Sequence, residues 1–181
     1  MLEEFPKRIT LRDGHTLTLR LMNRDDQYAM YEFFNSLPPE DRRYLRNDVT
    51  DRKVIENWVR NLNYDKVLPI LAEDDGKIVA NITLHWRTYG WGRHVGEVRI
   101  TIDPDFQGRG LGLALMEEIT QLAARSNVKK LLARIISTRP GVIKAFEKAG
   151  FGQVTVLPRF VKDIHQQSYA DIAVLVKELP L

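Results

Sequence analysis

The sequence predicts a mixed α/β domain built around one sheet. Apolar residues recur with period two in some segments and at helical spacing in others, and the two kinds of segment follow one another along the chain. Asp-Gly, Pro and Gly residues fall at the junctions, where a chain needs turn chemistry. The bulk numbers agree: 181 residues, 44% hydrophobic and 28% charged, suffice for one sizeable core, so a single domain over 1–181 is expected.

The stretch ITLRDGHTLTLRLM, Ile9 to Met22, alternates apolar and polar residues on both sides of Asp13-Gly14 and reads as a hairpin. Asn23 is placed to cap a helix whose Met30, Phe33, Phe34 and Leu37 share a face, and Pro38-Pro39 stops it. A short helical piece over PEDRRYL leads to another helix carrying Val54, Ile55, Trp58, Val59 and Leu62, with Thr50 or Asp51 as cap. After Asn63 the period changes to that of strands. KVLPILAED and KIVANITLHW flank Asp74-Asp75-Gly76 as a second hairpin, and RTYGWGRH is a loop. GEVRITID sets Val98, Ile100 and Ile102 on one side and Glu97, Arg99 and Thr101 on the other. A helix with the stripe Leu111, Leu115, Ile119 and Leu122 follows, then the buried strand VKKLLARIIS. Pro140 opens a last helix and Gly150 suits its C-cap; GQVTVLP and ADIAVLVKEL close the chain as strands.

Composition removes several function classes. With no cysteine there is no disulfide and no thiolate chemistry, which suits a reducing cytoplasm. The start MLEEFPKRIT has no apolar core, so no signal peptide is expected, and no apolar run reaches the length of a membrane span. A net charge of +3 without a basic stripe interleaved with aromatics gives no reason to expect a nucleic-acid partner.

The segment DPDFQGRGLGLALMEEI, Asp103 to Ile119, sets glycines at 108, 110 and 112 between a strand and a helix. Glycine is costly there unless a ligand approaches the backbone, and a helix N-terminus with bare amides attracts anions. A pyrophosphate on those amides, with Arg109 adding a charged contact, competes with a turn whose glycines serve only close packing. Two nucleotide motifs fail. The third glycine of Gly-x-Gly-x-x-Gly is missing, and no acid occurs from Ile119 through Phe146 to meet a ribose. The Gly-Lys-Ser/Thr of a P-loop is absent as well.

The same segment resembles the acyl-CoA-binding motif of the GCN5-related N-acetyltransferase (GNAT) superfamily, Gln/Arg-x-x-Gly-x-Gly/Ala, through Gln107, Gly110 and Gly112. IKAFEKAGF resembles the helix ending in Gly-Phe that follows in that family, and the likeness covers most of the chain. The opening DGHTLTLRLMNRDDQYAMYEFFNSLPPED is similar to bacterial protein-lysine acetyltransferase domains. The resemblance implies a splayed central sheet flanked by helices and acetyl-CoA as co-substrate. Pantetheine would bond the backbone of Ile100, Thr101 and Ile102. The diphosphate would rest on Gln107, Gly108, Arg109, Gly110, Leu111 and Gly112. It implies an amine acceptor, either a protein or peptide lysine or a small amine, no metal, and compatibility with a homodimer.

Acetyl transfer to an amine needs a base, an oxyanion donor and a leaving thiolate, because only the neutral amine attacks a thioester. The resemblance assigns the base to Glu97; His85 and His94 are alternates on titration range. The usual acid is a tyrosine four residues before the Gly-Phe, and here Phe146 stands there; Arg139 replaces a common asparagine. Water, Ser137 or Tyr169 would then protonate the thiolate, or the domain binds acyl-CoA without turnover. Trp86, Tyr89 and Trp91 are expected to wall the acceptor channel.

Overall fold

Residues 2–163 and 166–180 are described by a computed structural model. Eight strands form one sheet in the order β1-β2-β3-β4-β5-β6-β8-β7, as the sequence leads one to expect of a mixed α/β domain. The strands are β1 (Lys7–Thr10), β2 (Thr16–Leu21), β3 (Val67–Asp74), β4 (Lys77–Trp86), β5 (Val95–Ile102), β6 (Lys130–Ile136), β7 (Gly152–Asp163) and β8 (Ser168–Glu178). The helices are α1 (Gln27–Ser36), α2 (Pro39–Arg42), α3 (Arg52–Arg60), α4 (Leu111–Arg125) and α5 (Pro140–Lys148). Short 3-10 turns occupy Leu2–Glu4 and Pro104–Phe106.

Local chemistry explains most boundaries. The β1–β2 turn puts Gly14 at φ +85°, and the β3–β4 turn puts Asp75 and Gly76 at φ +45° and +80°, the positive angles that a tight hairpin requires. Asp51 caps α3 by accepting the Lys53 amide at 2.9 Å. Asn23 does not cap α1. The helix starts at Gln27 behind Asp26, whose carboxylate accepts the Asn23 amide at 2.7 Å and the Arg20 guanidinium at 2.8 and 2.9 Å. β7 runs past the Pro158 end read from sequence. An irregularity between Leu157 and Val161, with Arg159 at φ +51°, absorbs the proline, and pairing with β8 resumes.

Two apolar layers sandwich the sheet. On one side Leu111, Leu115, Ile119 and Leu122 of α4 and Phe146 of α5 pack on Ile82, Leu84 and Val98. On the other, Met30, Phe33 and Phe34 of α1 and Ile55 and Val59 of α3 cover Leu71 and Ile78. Burying side chains of this size contributes about 1.5–3 kcal/mol each before chain entropy is counted.

Every neighbouring strand pair is antiparallel except β5–β6. That parallel pair registers Val95, Gly96 and Glu97 with Lys130, Leu131 and Leu132 and then parts. From Val98 onward β5 therefore keeps β4 on one edge and has no strand on the other, which is the splay.

Candidate acyl-transfer site

The splay opens into a cavity of about 1240 Å³ that runs between the sheet and the α1–α3 layer and on to α4 and α5. It is lined at one end by Gln107, Gly108, Gly110 and Gly112, along its floor by Ile100, Thr101 and Ile102, and at α5 by Val142, Ala145 and Phe146. Seven of the sequence-picked cofactor residues thus come together there.

The glycine turn has the backbone that the sequence argument requires. Gly108 and Gly110 sit at φ +73° and +92°, where a Cβ is strained. Gly110 is the residue before α4, and the first intrahelical bond is Ala114 N–H to Gly110 O at 3.1 Å. The amides of Leu111, Gly112 and Leu113 precede it and are the free donors that any helix start presents. A Cβ on Gly112 would lie 3.2 Å from Ile102 Cδ1, so this glycine also lets α4 close on β5. Gln107 braces the turn by donating from Nε2 to Ile102 O at 3.0 Å.

Two of the cofactor candidates bring their backbone to the turn but are not among the residues that line the cavity. Leu111 is buried in the core under α4. Arg109 donates to Asp13 at 2.5 Å and stacks its guanidinium 4.8 Å from the Phe106 ring, so its charge is already engaged. Arg12 reaches the turn instead, its Cγ 3.2 Å from where a Gly110 Cβ would lie.

Glu97 stands at the last paired position of β5, where the splay begins. Its carboxylate accepts from Arg46 at 2.5 and 3.1 Å, from Arg134 at 2.8 and 3.1 Å and from Arg99 at 3.2 Å. Burial pushes its pKa up, but the bonds from Arg46 and Arg134 and the charges of Arg46 and Arg99 outweigh it and hold the group well below the usual carboxylate range. His85 faces Glu97 across the β4–β5 ladder and bonds the Thr83 hydroxyl at 2.9 Å. Burial, then the Arg99 charge, pushes this histidine down to about 4, so it is neutral at pH 7. His94 is exposed and does not line the cavity.

The segment from α2 to α3 straps the helix layer across the opening. Asp41 pairs with Arg139 at the start of α5, Arg43 with Asp163 of β7 at 3.4 Å, and Arg46 with Glu97. Arg139 is thus tied down, and it also lines the cavity. Sequence spacing gave no sign of Arg46 or Arg134, because both reach Glu97 from distant parts of the chain.

The aromatic wall differs from expectation. Tyr89 and Trp91 are 87% and 96% exposed on the β4–β5 loop, and Trp86 packs against the α4-side core. The wall is made of Met30, Phe34, Tyr44, Leu45 and Trp58 from the helix layer. Phe146 is buried edge-on to Phe151, with ring centroids 5.0 Å apart, and offers no proton. Tyr169 lies outside the cavity, half exposed beside Arg159. Ser137 has a buried hydroxyl without a partner among the described residues but does not line the cavity either. Tyr44 is a phenol that does.

The sequence pattern of the Acetyltransferase (GNAT) family matches residues 28–151, well over half of the chain. The chain belongs to the GNAT acetyltransferase family. Across it, a relative from Bacillus subtilis (strain 168) named "Putative phosphinothricin acetyltransferase YwnH" is 27% identical over 168 residues, 90% of this chain and 99% of its own. The GNAT domain of S. lividans PAT superposes with a TM-score of 0.79 at 20% identity, covering 96% of this chain and 97% of that one. The structure of yncA from Salmonella typhimurium, solved with its cofactor acetyl-CoA, gives a TM-score of 0.77 at 19% identity over 91% and 95%. These structures share the GNAT fold: one open mixed sheet flanked by helices. Among the described residues, no helix is long and apolar enough to cross a membrane, and no group of three or more His, Asp or Glu could hold a metal.

Proposed function

We propose that residues 1–181 form one N-acetyltransferase domain that moves an acetyl group from acetyl-CoA to a primary amine. The observation that carries this reading is the glycine turn: two glycines at positive φ open a helix whose free amides face the splay cavity. The diphosphate sits on the amides of 108–113, with Gln107 bracing the turn and Arg12 at its edge. Pantetheine lies against the unpaired edge of β5, bonded by the backbone of Ile100, Thr101 and Ile102. The yncA structure with acetyl-CoA, which has the same fold, supports this assignment.

In the reaction a C–N bond forms between the amine nitrogen and the acetyl carbonyl carbon. The C–S bond breaks, its electron pair leaves on the coenzyme A thiolate, and the amine proton passes to Glu97 directly or through water. Glu97 is ionised at neutral pH and so able to accept. Its three arginines make it a weak base, whether the proton arrives directly or through water. Backbone N–H groups of the unpaired β5 edge supply the oxyanion donors. Coenzyme A thiolate leaves without a strong acid, and Tyr44 is the phenol best placed to protonate it afterwards. The acceptor is a protein or peptide lysine or a small amine; the name of the Bacillus subtilis relative favours the small amine.

Phe146 favours a second reading, an acyl-CoA-binding domain without turnover. Release of free thiol from acetyl-CoA across a panel of amines and peptides separates the two. Acetyl transfer requires release above background with at least one acceptor and a large loss in Glu97→Gln at unchanged acetyl-CoA affinity. Tight acetyl-CoA binding with no release from any acceptor establishes the second reading.

A further inference from the structure

One face of β4 and β5 lines the half of the cavity under the helix layer. In register across it lie Asn81 with Thr101 and Thr83 with Arg99; His85 lines it too, while its ladder partner Glu97 is not among the lining residues. Arg134 of β6 and Arg46 of the strap come in beside them. Three guanidinium groups therefore surround one carboxylate, and guanidinium stays charged at any working pH. The excess is two positive charges in a half-buried place. The acidic side chain among the described lining residues is Asp41, and it is already paired with Arg139.

Two polar atoms on this face have no partner. Arg99 Nε, a donor, and Asn81 Oδ1, an acceptor, are both buried without a hydrogen bond among the described residues. A buried unpaired donor on a charged group is costly, so such an arrangement calls for a ligand that completes it. A polycation or a lysine surrounded by basic residues meets like charge here. An acid group meets the planar fork of Arg99, with Arg134 next to it, and replaces part of the missing negative charge.

We infer that the acceptor is a small amine carrying its own acid group, a carboxylate or a phosphorus acid, held by Arg99 and Arg134 while its nitrogen lies at the splay. The inference rests on the acetyl-transfer reading for the fate of the nitrogen, but acid recognition can be read without turnover. Arg99 is then a specificity-determining residue.

The test uses matched primary amines: amino carboxylates, amino phosphonates, the same compounds with the acid esterified, and the acid-free cations spermidine and a lysine peptide. Thiol release should favour the free acids over their esters by at least about ten-fold in kcat/KM, the size expected for a lost charged hydrogen bond. The carboxylate and phosphonate arms identify which acid fits. Equal rates on esters, or preference for the cations, overturn the inference and leave acetyl transfer standing. Equilibrium dialysis of acids and esters against protein saturated with coenzyme A covers the case without turnover. Acid-selective binding without any thiol release upholds the inference and overturns the acetyl-transfer reading. Neither binding nor release overturns the inference. Arg99→Gln should raise KM for the acids about ten-fold while KM for acetyl-CoA and for the esters stays put, and Arg99→Lys should recover part of the loss. The acid-to-ester ratio of the wild type decides the matter even if these variants fold poorly.

Discussion

Arg46 and Glu97, 51 residues apart, meet at 2.5 Å and join the strap over the cavity to the central strand at the point where the sheet splits. Asp41–Arg139 and Arg43–Asp163 hold the same strap to α5 and β7. The half of the cavity under the helix layer is thus roofed by ion pairs, with the apolar contacts concentrated deeper, under α1 and α3.

Replacing Arg46 by Met should therefore loosen the roof without disturbing the core. Arg46 is about a third exposed, so solvent screens much of the attraction, and a loss of about 0.5–1 kcal/mol is expected. Urea unfolding at neutral pH measures it. A fall of several kcal/mol, or a changed unfolding slope, would show that the strap is part of the cooperative core.

Glu97 has a larger structural share because its side chain is only 15% exposed and accepts from three partners. Glu97→Gln should destabilise the protein by about 1–2 kcal/mol at pH 7 by leaving three arginines facing one neutral amide. The effect has a defined pH window. The folded pKa lies below the unfolded one, so the contribution is complete above the ordinary glutamate range near 4.5 and fades as pH falls towards the lower folded value. Unfolding curves of wild type and variant should converge below about pH 4. A gap that stays constant down to pH 3 would assign the destabilisation to packing.

The parts of this molecule that local chemistry decides were legible in the sequence. The two hairpin turns and the α3 cap at Asp51 depend on residues a few positions apart, and the glycine run marked the strand-to-helix junction where Gly108 and Gly110 take positive φ. What the topology decides was not legible. Arg134 reaches Glu97 across 37 residues and Arg139 reaches Asp41 across 98, because the splay and the strap bring them there. The β4–β5 loop misled for the same reason. Its aromatics look like a channel wall in the chain, but the hairpin end projects beyond the helix layer and leaves Tyr89 and Trp91 in solvent. Asn23 does not cap α1 because its side-chain oxygen accepts the Asp25 amide at 2.8 Å, in a turn ahead of the helix start at Gln27.

The glycine turn makes two kinds of demand, and a pair of variants separates them. Gly110→Ala forces a Cβ into φ +92°, against the flexible side chain of Arg12, and should cost about 1–2 kcal/mol. Gly14→Ala does the same at φ +85° in open space at the hairpin tip. Both should lower Tm by similar amounts. Only Gly110→Ala should raise KM for acetyl-CoA, by about ten-fold if one amide contact is displaced. Equal KM values in the two variants would remove the diphosphate from this turn.

The pH dependence of turnover distinguishes the groups facing the splay. His85 titrates near 4 and Glu97 lower still, so both are already deprotonated at pH 5.5. Neither contributes an inflection to kcat/KM between pH 5.5 and 8. The rate should instead climb about ten-fold per pH unit, following the neutral fraction of an acceptor amine with a pKa near 10. Exchanging the acceptor for one whose amine titrates two units lower should shift the whole profile by the same interval. The arginines set the sign of this behaviour: they depress both groups, and Arg99 lies opposite Thr83, next to His85 in the ladder. Arg99→Gln removes one of the causes that hold His85 down, so the imidazole pKa should rise, as an NMR titration of the variant would show. An inflection between pH 5.5 and 8 in the wild type that persists when the acceptor is changed would identify a different base.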